Sequence, residues 1–168
     1  ASSNVDALGM REMQRMVYEQ RHRQYLLVKA PPACGKSRAM MFVALDKLQN
    51  QGIKKVIVAV PEKTIGRSFD NTNLKDFGFF ADWRVADYFN LCGGNETEKK
   101  KRFFEFIDKG CKNKILVCTH STLRNAVKEL SDEQLNDCLF GIDEYHHSSA
   151  DVGNGLGELI RRLIANTK

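Results

Sequence analysis

No apolar run in the 168-residue chain approaches the roughly 20 residues that a membrane-spanning helix needs, so a helical membrane anchor is not expected. The opening residues, ASSNVDALGMREM, lack the basic-then-apolar order of a secretory signal. Cysteine is sparse and unpatterned. The five are Cys34, Cys92, Cys111, Cys118 and Cys138, an odd number with no C-x-x-C pair. Neither a disulfide framework nor a zinc site is expected, and a reducing, cytoplasmic compartment fits best. Cys118 and Cys138 lie in apolar runs and read as buried thiols. Repeats, low-complexity tracts and internal linkers are absent too, which leaves little room for a solenoid or an array.

What is present is ordinary globular material. Hydrophobic residues make up 42% and charged residues 28%, which suits one soluble domain with a real core. The net charge is +5 and the pI about 9.0. That mild positive field is compatible with nucleic acid but does not establish it.

The most informative stretch is Tyr25 to Ser37, YLLVKAPPACGKS. Tyr25-Leu26-Leu27-Val28 has the character of a buried parallel strand. Ala30-Pro31-Pro32-Ala33-Cys34-Gly35-Lys36-Ser37 then forms a tight loop, and Met40, Met41, Val43, Ala44 and Leu48 carry helical periodicity. Strand, loop ending in Gly-Lys-Ser and helix together make the setting of a phosphate-binding loop. The amides of such a loop and of the first helical turn, through Arg38, converge on one spot and suit a polyphosphate. Lys36 adds a point charge near the outer phosphates, and the Ser37 hydroxyl is a ligand type that Mg²⁺ prefers. The general pattern for such a loop begins with Gly, where this chain has Ala30.

Around this stretch the chain reads as alternating elements. Residues 5–23 suggest a helix with a stripe of Leu8, Met13, Met16 and Val17, on which Gln14 reads as a surface amide. The helix after the loop is expected to stop near Gly52. Val56-Ile57-Val58-Ala59-Val60 is a second strand, closed by Pro61. Residues 83–91 suggest a third strand, ended by Cys92-Gly93-Gly94-Asn95. Residues 96–109 form an amphipathic helix with Phe103, Phe104 and Ile107 inward. Its Lys99-Lys100-Lys101-Arg102 run reads as a solvated face, with nucleic-acid contact as the minority reading. Residues 114–118 give a fourth strand, Thr119-His120-Ser121-Thr122 opens a further helix, and Ser131-Asp132-Glu133 caps a short one. The fifth strand, residues 139–142, runs into Asp143-Glu144-Tyr145-His146-His147, and a last helix is expected over residues 156–165. The alternation predicts an α/β fold with a mostly parallel sheet and helices on both faces.

An apolar strand ending in Asp-Glu supplies what the loop lacks. Asp143, at a strand's C-terminal end, is placed to hold Mg²⁺ directly or through water. Glu144 is placed to polarise a water against a γ-phosphate. Cradle, cation, metal and oriented nucleophile are most of what phosphoryl transfer requires.

With both sites in view, the chain resembles the first RecA-like domain of a superfamily 2 helicase of the DEAD/DEAH-box type, closest in flavour to the helicase subunits of restriction enzymes. In that resemblance Gln14 matches the glutamine motif that reads adenine, which turns the surface amide into a functional one. Residues Ala30 to Ser37 match a motif whose family pattern begins with Ala, so Ala30 is expected. Ala33 departs from the family's usual Gly, and its Cβ bears on the loop's dihedrals. Val60-Pro61 with Thr64, the pair Gly93-Gly94, and Val117-Cys118-Thr119-His120 resemble three elements that line the nucleic-acid backbone in the family. Asp143-Glu144-Tyr145-His146 resembles a DExH motif with Tyr third, and His146 then couples the nucleotide site to a second domain. The resemblance implies a P-loop NTPase using ATP and Mg²⁺, with nucleic acid (DNA or RNA) as partner.

It also implies a division of the chain. Residues 1–24 would be an N-terminal helix bearing the glutamine motif, and residues 25–168 the ATP-binding domain. No Ser-Ala-Thr motif follows Asp143-Glu144, and Arg161 and Arg162 read as surface residues. The second RecA-like domain, with its arginine fingers, is therefore expected to come from the full-length protein, and the fragment alone to hydrolyse ATP very slowly. Two other readings stand beside the motor: a small-molecule phosphotransferase on the same loop, and a non-catalytic nucleotide sensor.

Overall fold

The computed structural model describes residues 10–22, 35–61, 69–143 and 161. The chain divides into two compact units, residues 1–52 with 66–84 and residues 53–65 with 85–168. Among the described residues no helix is long and apolar enough to cross a membrane. The expected strand at residues 25–28 and the expected helix at residues 156–165, Arg161 apart, lie outside them. Arg161 is helical and exposed.

In the first unit, helices α1 (Glu12–Glu19) and α2 (Lys36–Asn50) pack together. The apolar stripe expected on α1 holds in part: Met13 and Val17 are half-buried, Leu8 lies outside the described residues, and Met16 is 58% exposed, whereas Gln14 is only 2% exposed. The reason is polar: the Gln14 amide has partners in the interior. α2 is buried almost all round from Met41 to Lys47, as befits a helix inside a fold rather than on it. It ends where expected, at Gln51 before Gly52, whose φ of +76° is the left-handed conformation glycine adopts freely. Asp46 joins the two helices. Its carboxylate accepts from Asn50 Nδ2 at 2.8 Å, Gln51 Nε2 at 2.6 Å and Tyr18 OH at 3.3 Å, and pairs with the Arg21 guanidinium at 3.4 Å. Phe79 packs on Phe42 and Tyr18, with ring centroids 4.7 and 5.8 Å apart.

The segment expected as a third strand is mostly something else. Trp83 is fully buried, makes one antiparallel bridge to Thr72, and donates its indole N–H to the Phe69 carbonyl at 2.9 Å. A buried indole needs such an acceptor, and the bridge turns the chain away from an extended course. Residues Asp87–Phe89 form one 3₁₀ turn, and only β2 (Asn90–Leu91) joins the sheet.

The second unit is an all-parallel sheet of β1 (Lys55–Val60), β2, β3 (Ile115–Thr119) and β4 (Cys138–Ile142), in the order β2-β3-β1-β4. β3 is buried along its whole length and β1 from Val56 to Val60. Such continuous apolar strands are what a parallel sheet requires. Ile57, Ala59, Leu116 and Cys118 pack with Phe103 and Phe106 of α3 (Glu96–Ile107), Leu123, Ala126 and Val127 of α4 (His120–Val127), and Leu135 of α5 (Asp132–Asn136). Burying a side chain such as Phe106 stabilises the fold by roughly 1.5–3 kcal/mol. Phe106 joins Phe103 as the fully buried pair of α3, since i and i+3 share a helix face, and Phe104 and Ile107 pack against the same core while partly buried. α5 starts with a reciprocal capping box between Ser131 and Gln134.

Candidate nucleotide-binding site

One group of candidate residues stands at the start of α2, in the first unit. Gly35 is its N-cap, held at φ +80° and ψ +25°. Among the described residues no side chain caps this end, and no acidic residue lies in its first turn. The first-turn amides, those of Lys36 and Ser37 among them, have no intrahelical acceptor by construction, and the helix dipole adds partial positive charge there. Lys36, Ser37 and Arg38 are partly buried. The Arg38 guanidinium lies over the Phe77 ring, 5.6 Å from its centroid.

Gln14 comes to the same place from α1. Its Nε2 donates to the Gly35 carbonyl at 3.1 Å, and its Oε1 accepts from the Arg11 amide at 2.9 Å. The Gly35 carbonyl also accepts the Ala39 amide at 3.0 Å, so both of its lone pairs are used. The Gln14 amide is fixed at both ends, yet a primary amide has two N–H groups and two lone pairs on its oxygen. Among the described residues one of each takes no part in these two bonds. That is the pair of functions with which glutamine reads the N6/N7 edge of adenine.

A second group of candidate residues belongs to the other unit, at the C-terminal ends of its sheet. Asp143 directly follows β4 and is 6% exposed. Its backbone N–H donates to the Ala59 carbonyl at 2.8 Å. Its own carbonyl accepts from Nε2 of His120 at 2.8 Å. His120 opens α4 and is 3% exposed. Thr119, also buried, caps α4 through its hydroxyl, which accepts from the Thr122 amide at 3.4 Å and bonds Thr122 Oγ1 at 3.0 Å. The expected nucleic-acid elements are therefore of two kinds. Gly93 and Gly94 are exposed with open space where a Cβ would stand, whereas the Thr119 and His120 side chains face inward.

Residues 11–168 match the family model for the DEAD/DEAH box helicase. The chain belongs to that family. It is 54% identical, over 99% of its own length, to a Bacillus subtilis (strain 168) protein named "Putative ATP-dependent helicase YeeB". It spans only 27% of that relative's length. No solved structure matches the chain significantly.

The all-parallel sheet and its helices are those of the RecA-like fold that the DEAD/DEAH box family uses. Of the expected site residues, Ala30, Pro31, Pro32, Ala33, Cys34, Thr64, Glu144 and His146 lie outside the described residues. Gln14 is brought to Gly35, and His120 to Asp143. The surface-amide reading of Gln14 is overturned by its burial. The His120–Asp143 bond was not expected from sequence: the two are 23 residues apart, and no spacing rule joins them. The solvated-face reading of Lys99 to Arg102 holds for exposed Lys101, partly for Lys100 and Arg102, and not for Lys99, which is 8% exposed. Lys99 pairs with Glu96 at 3.2 Å, Lys100 with Glu129 at 2.8 Å and Arg102 with Glu98 at 3.3 Å.

Proposed function

We propose that this chain is the ATP-binding part of an ATP-dependent nucleic-acid helicase or translocase. The observation that carries the reading is the Gln14–Gly35 bond, which fixes an adenine-reading amide to the residue where the phosphate-binding helix begins. Gln14 reads the base. The loop from Ala30 to Ser37, with Arg38, cradles the phosphates, and Lys36 neutralises the outer ones. Ser37 and Asp143 would hold Mg²⁺, and the donor set fits: a hydroxyl and a carboxylate are the hard oxygens that this cation takes. When bound, Mg²⁺ supplies charge neutralisation on the phosphate oxygens. Glu144 orients the attacking water and accepts its proton.

Pro61, Thr64, Gly93, Gly94, Thr119 and His120 belong to the segments that form the nucleic-acid path, with His120 and Thr119 shaping it from within. His146 couples this site to a second RecA-like domain. That domain supplies an arginine, a contribution of roughly 10³–10⁵ in rate, so the 168 residues alone bind Mg-ATP and turn it over very slowly.

The test is a titration of the intact protein with a fluorescent ATP analogue, paired with steady-state hydrolysis with and without nucleic acid. Lys36→Ala should abolish binding. Glu144→Gln should keep binding and lose turnover. Nucleic acid should stimulate the wild type. Hydrolysis indifferent to nucleic acid and to Glu144→Gln would overturn the motor, and phosphate transfer to a metabolite would replace it with a phosphotransferase.

A further inference from the structure

The β1–β4 ladder breaks at one identifiable atom. The register pairs Ala59 with Ile142, and the Asp143 amide continues it by donating to the Ala59 carbonyl. In a regular parallel ladder the carbonyl of that same residue accepts from the amide two positions further along the neighbouring strand. Here that position is Pro61, which has no N–H. The Asp143 carbonyl is thus deprived of its sheet partner at the residue whose carboxylate the site depends on.

His120 takes the vacant role. β1 lies between β3 and β4, so a side chain starting just after β3 must cross two strand spacings, roughly 10 Å, to reach the chain after β4. The His120 ring does so and meets the Asp143 carbonyl at 2.8 Å. A carbonyl only accepts, so Nε2 carries the proton. Because a peptide is planar, holding that oxygen fixes the whole peptide unit that leads out of Asp143. The other end of the bridge is the first residue of α4, beside the Thr119 cap.

We infer that His120 is a positioning residue: it substitutes for the amide that Pro61 lacks, sets the Asp143 backbone for metal–nucleotide binding, and ties that setting to the Thr119-His120 segment at the start of α4. This rests on the role proposed above for Asp143. It acts through Asp143 and need touch neither nucleotide nor nucleic acid.

The intact protein tests it with His120→Phe, which keeps a ring and removes the donor, His120→Gln, which restores a donor, and Pro61→Ala in the His120→Phe background, which returns the missing ladder amide. Two quantities are read. One is hydrogen–deuterium exchange of the segment 138–146 without nucleotide. The other is the Mg²⁺ concentration that half-saturates binding of a fluorescent ATP analogue.

His120→Phe should speed the exchange and raise the Mg²⁺ requirement about 10- to 100-fold, the usual range for losing a group that orients a metal ligand. Affinity for the analogue in EDTA should hardly change. His120→Gln should recover part of the loss, and Pro61→Ala should recover it in the Phe background. A purely structural role would lower stability without this metal-specific effect.

Wild-type Mg²⁺ dependence in folded His120→Phe overturns the inference, as does failure of Pro61→Ala to rescue. Should His120→Phe not fold, the double variant decides: folding with wild-type Mg²⁺ dependence supports the inference, and failure to fold overturns it. A wild-type protein that binds no Mg²⁺–nucleotide removes the underlying reading, and this one with it. Binding by the wild type with insensitive variants removes this one alone.

Discussion

Gln14 and Gly35 fit each other at closer range than any other residue could manage. A Cβ built on Gly35 would stand 2.3 Å from Gln14 Nε2, and the backbone there has φ +80°. The glycine therefore serves two needs: a left-handed N-cap, and room for an amide to reach its carbonyl.

Gly35→Ala should be damaging on both counts. The left-handed backbone alone costs about 1–2 kcal/mol for a residue with a Cβ, and the Gln14 amide must also withdraw. Thermal denaturation should show the loss, and the variant should bind nucleotide more weakly than wild type even where it is fully folded.

Gln14→Ala removes the Nε2 bond to Gly35 and the Oε1 bond from Arg11. Net hydrogen bonds of this kind are each worth about 1 kcal/mol, so a modest drop in melting temperature is expected. In the proposed function the larger effect is on base choice: competition between ATP and GTP analogues should flatten. Unchanged discrimination would remove Gln14 from the adenine site and leave it a strut between α1 and α2.

Asp46 gives a pH signature. Burial pushes its carboxyl up, but the side-chain amides of Gln51 and Asn50, the Arg21 guanidinium and the Tyr18 hydroxyl outweigh it, and the group titrates below its ordinary value of 3.8. A carboxylate whose folded pKa is depressed adds stability that is fully present above the unfolded value and is lost as pH falls through the folded one. Asp46→Asn should therefore melt earlier than wild type near neutral pH, by an amount corresponding to about 1.5–3 kcal/mol for a hydrogen-bonded charge. The gap between the two proteins should close below pH 3.8. A gap independent of pH would contradict this.

The thiols should separate by reactivity. Burial, followed by the charge of Asp137, pushes the Cys138 thiol up to about 12, and its Sγ donates to the Gln134 carbonyl at 3.4 Å. Thiolate is the reactive form. Native protein at pH 8 should take up a thiol reagent at exposed Cys92 and not at Cys138, as peptide mass spectrometry would show. Rapid modification of Cys138 in the folded protein would mean that β4 opens.

The parts legible in the sequence are those where one local rule decides. β1, β3 and β4 are continuous apolar runs, α5 follows the N-cap Ser131, and Gly52 ends α2. What escaped is what depends on a distant partner. The α1 stripe is right for half-buried Met13 and Val17 and wrong for Met16, because hydrophobic periodicity cannot see that a polar side chain, Gln14, takes the most buried position while Met16 faces solvent. The extended reading of residues 83–91 failed because Trp83 is committed to Thr72 and Phe69. Pro61 was readable as a strand stop. Its effect on the Asp143 carbonyl was not, since that requires the register of β1 against β4.

The basic run at Lys99 to Arg102 bears finally on how the protein would respond to salt. Three of its four cations already face carboxylates within α3 or across to Glu129, and the Arg102 guanidinium also lies 4.4 Å from the centre of the Tyr88 ring. Cations that carry their own counter-charge displace few condensed ions from a phosphate backbone. The steepness with which nucleic-acid affinity falls as salt rises will then be set by other parts of the surface, and this densest cluster of positive charge will leave little trace in it.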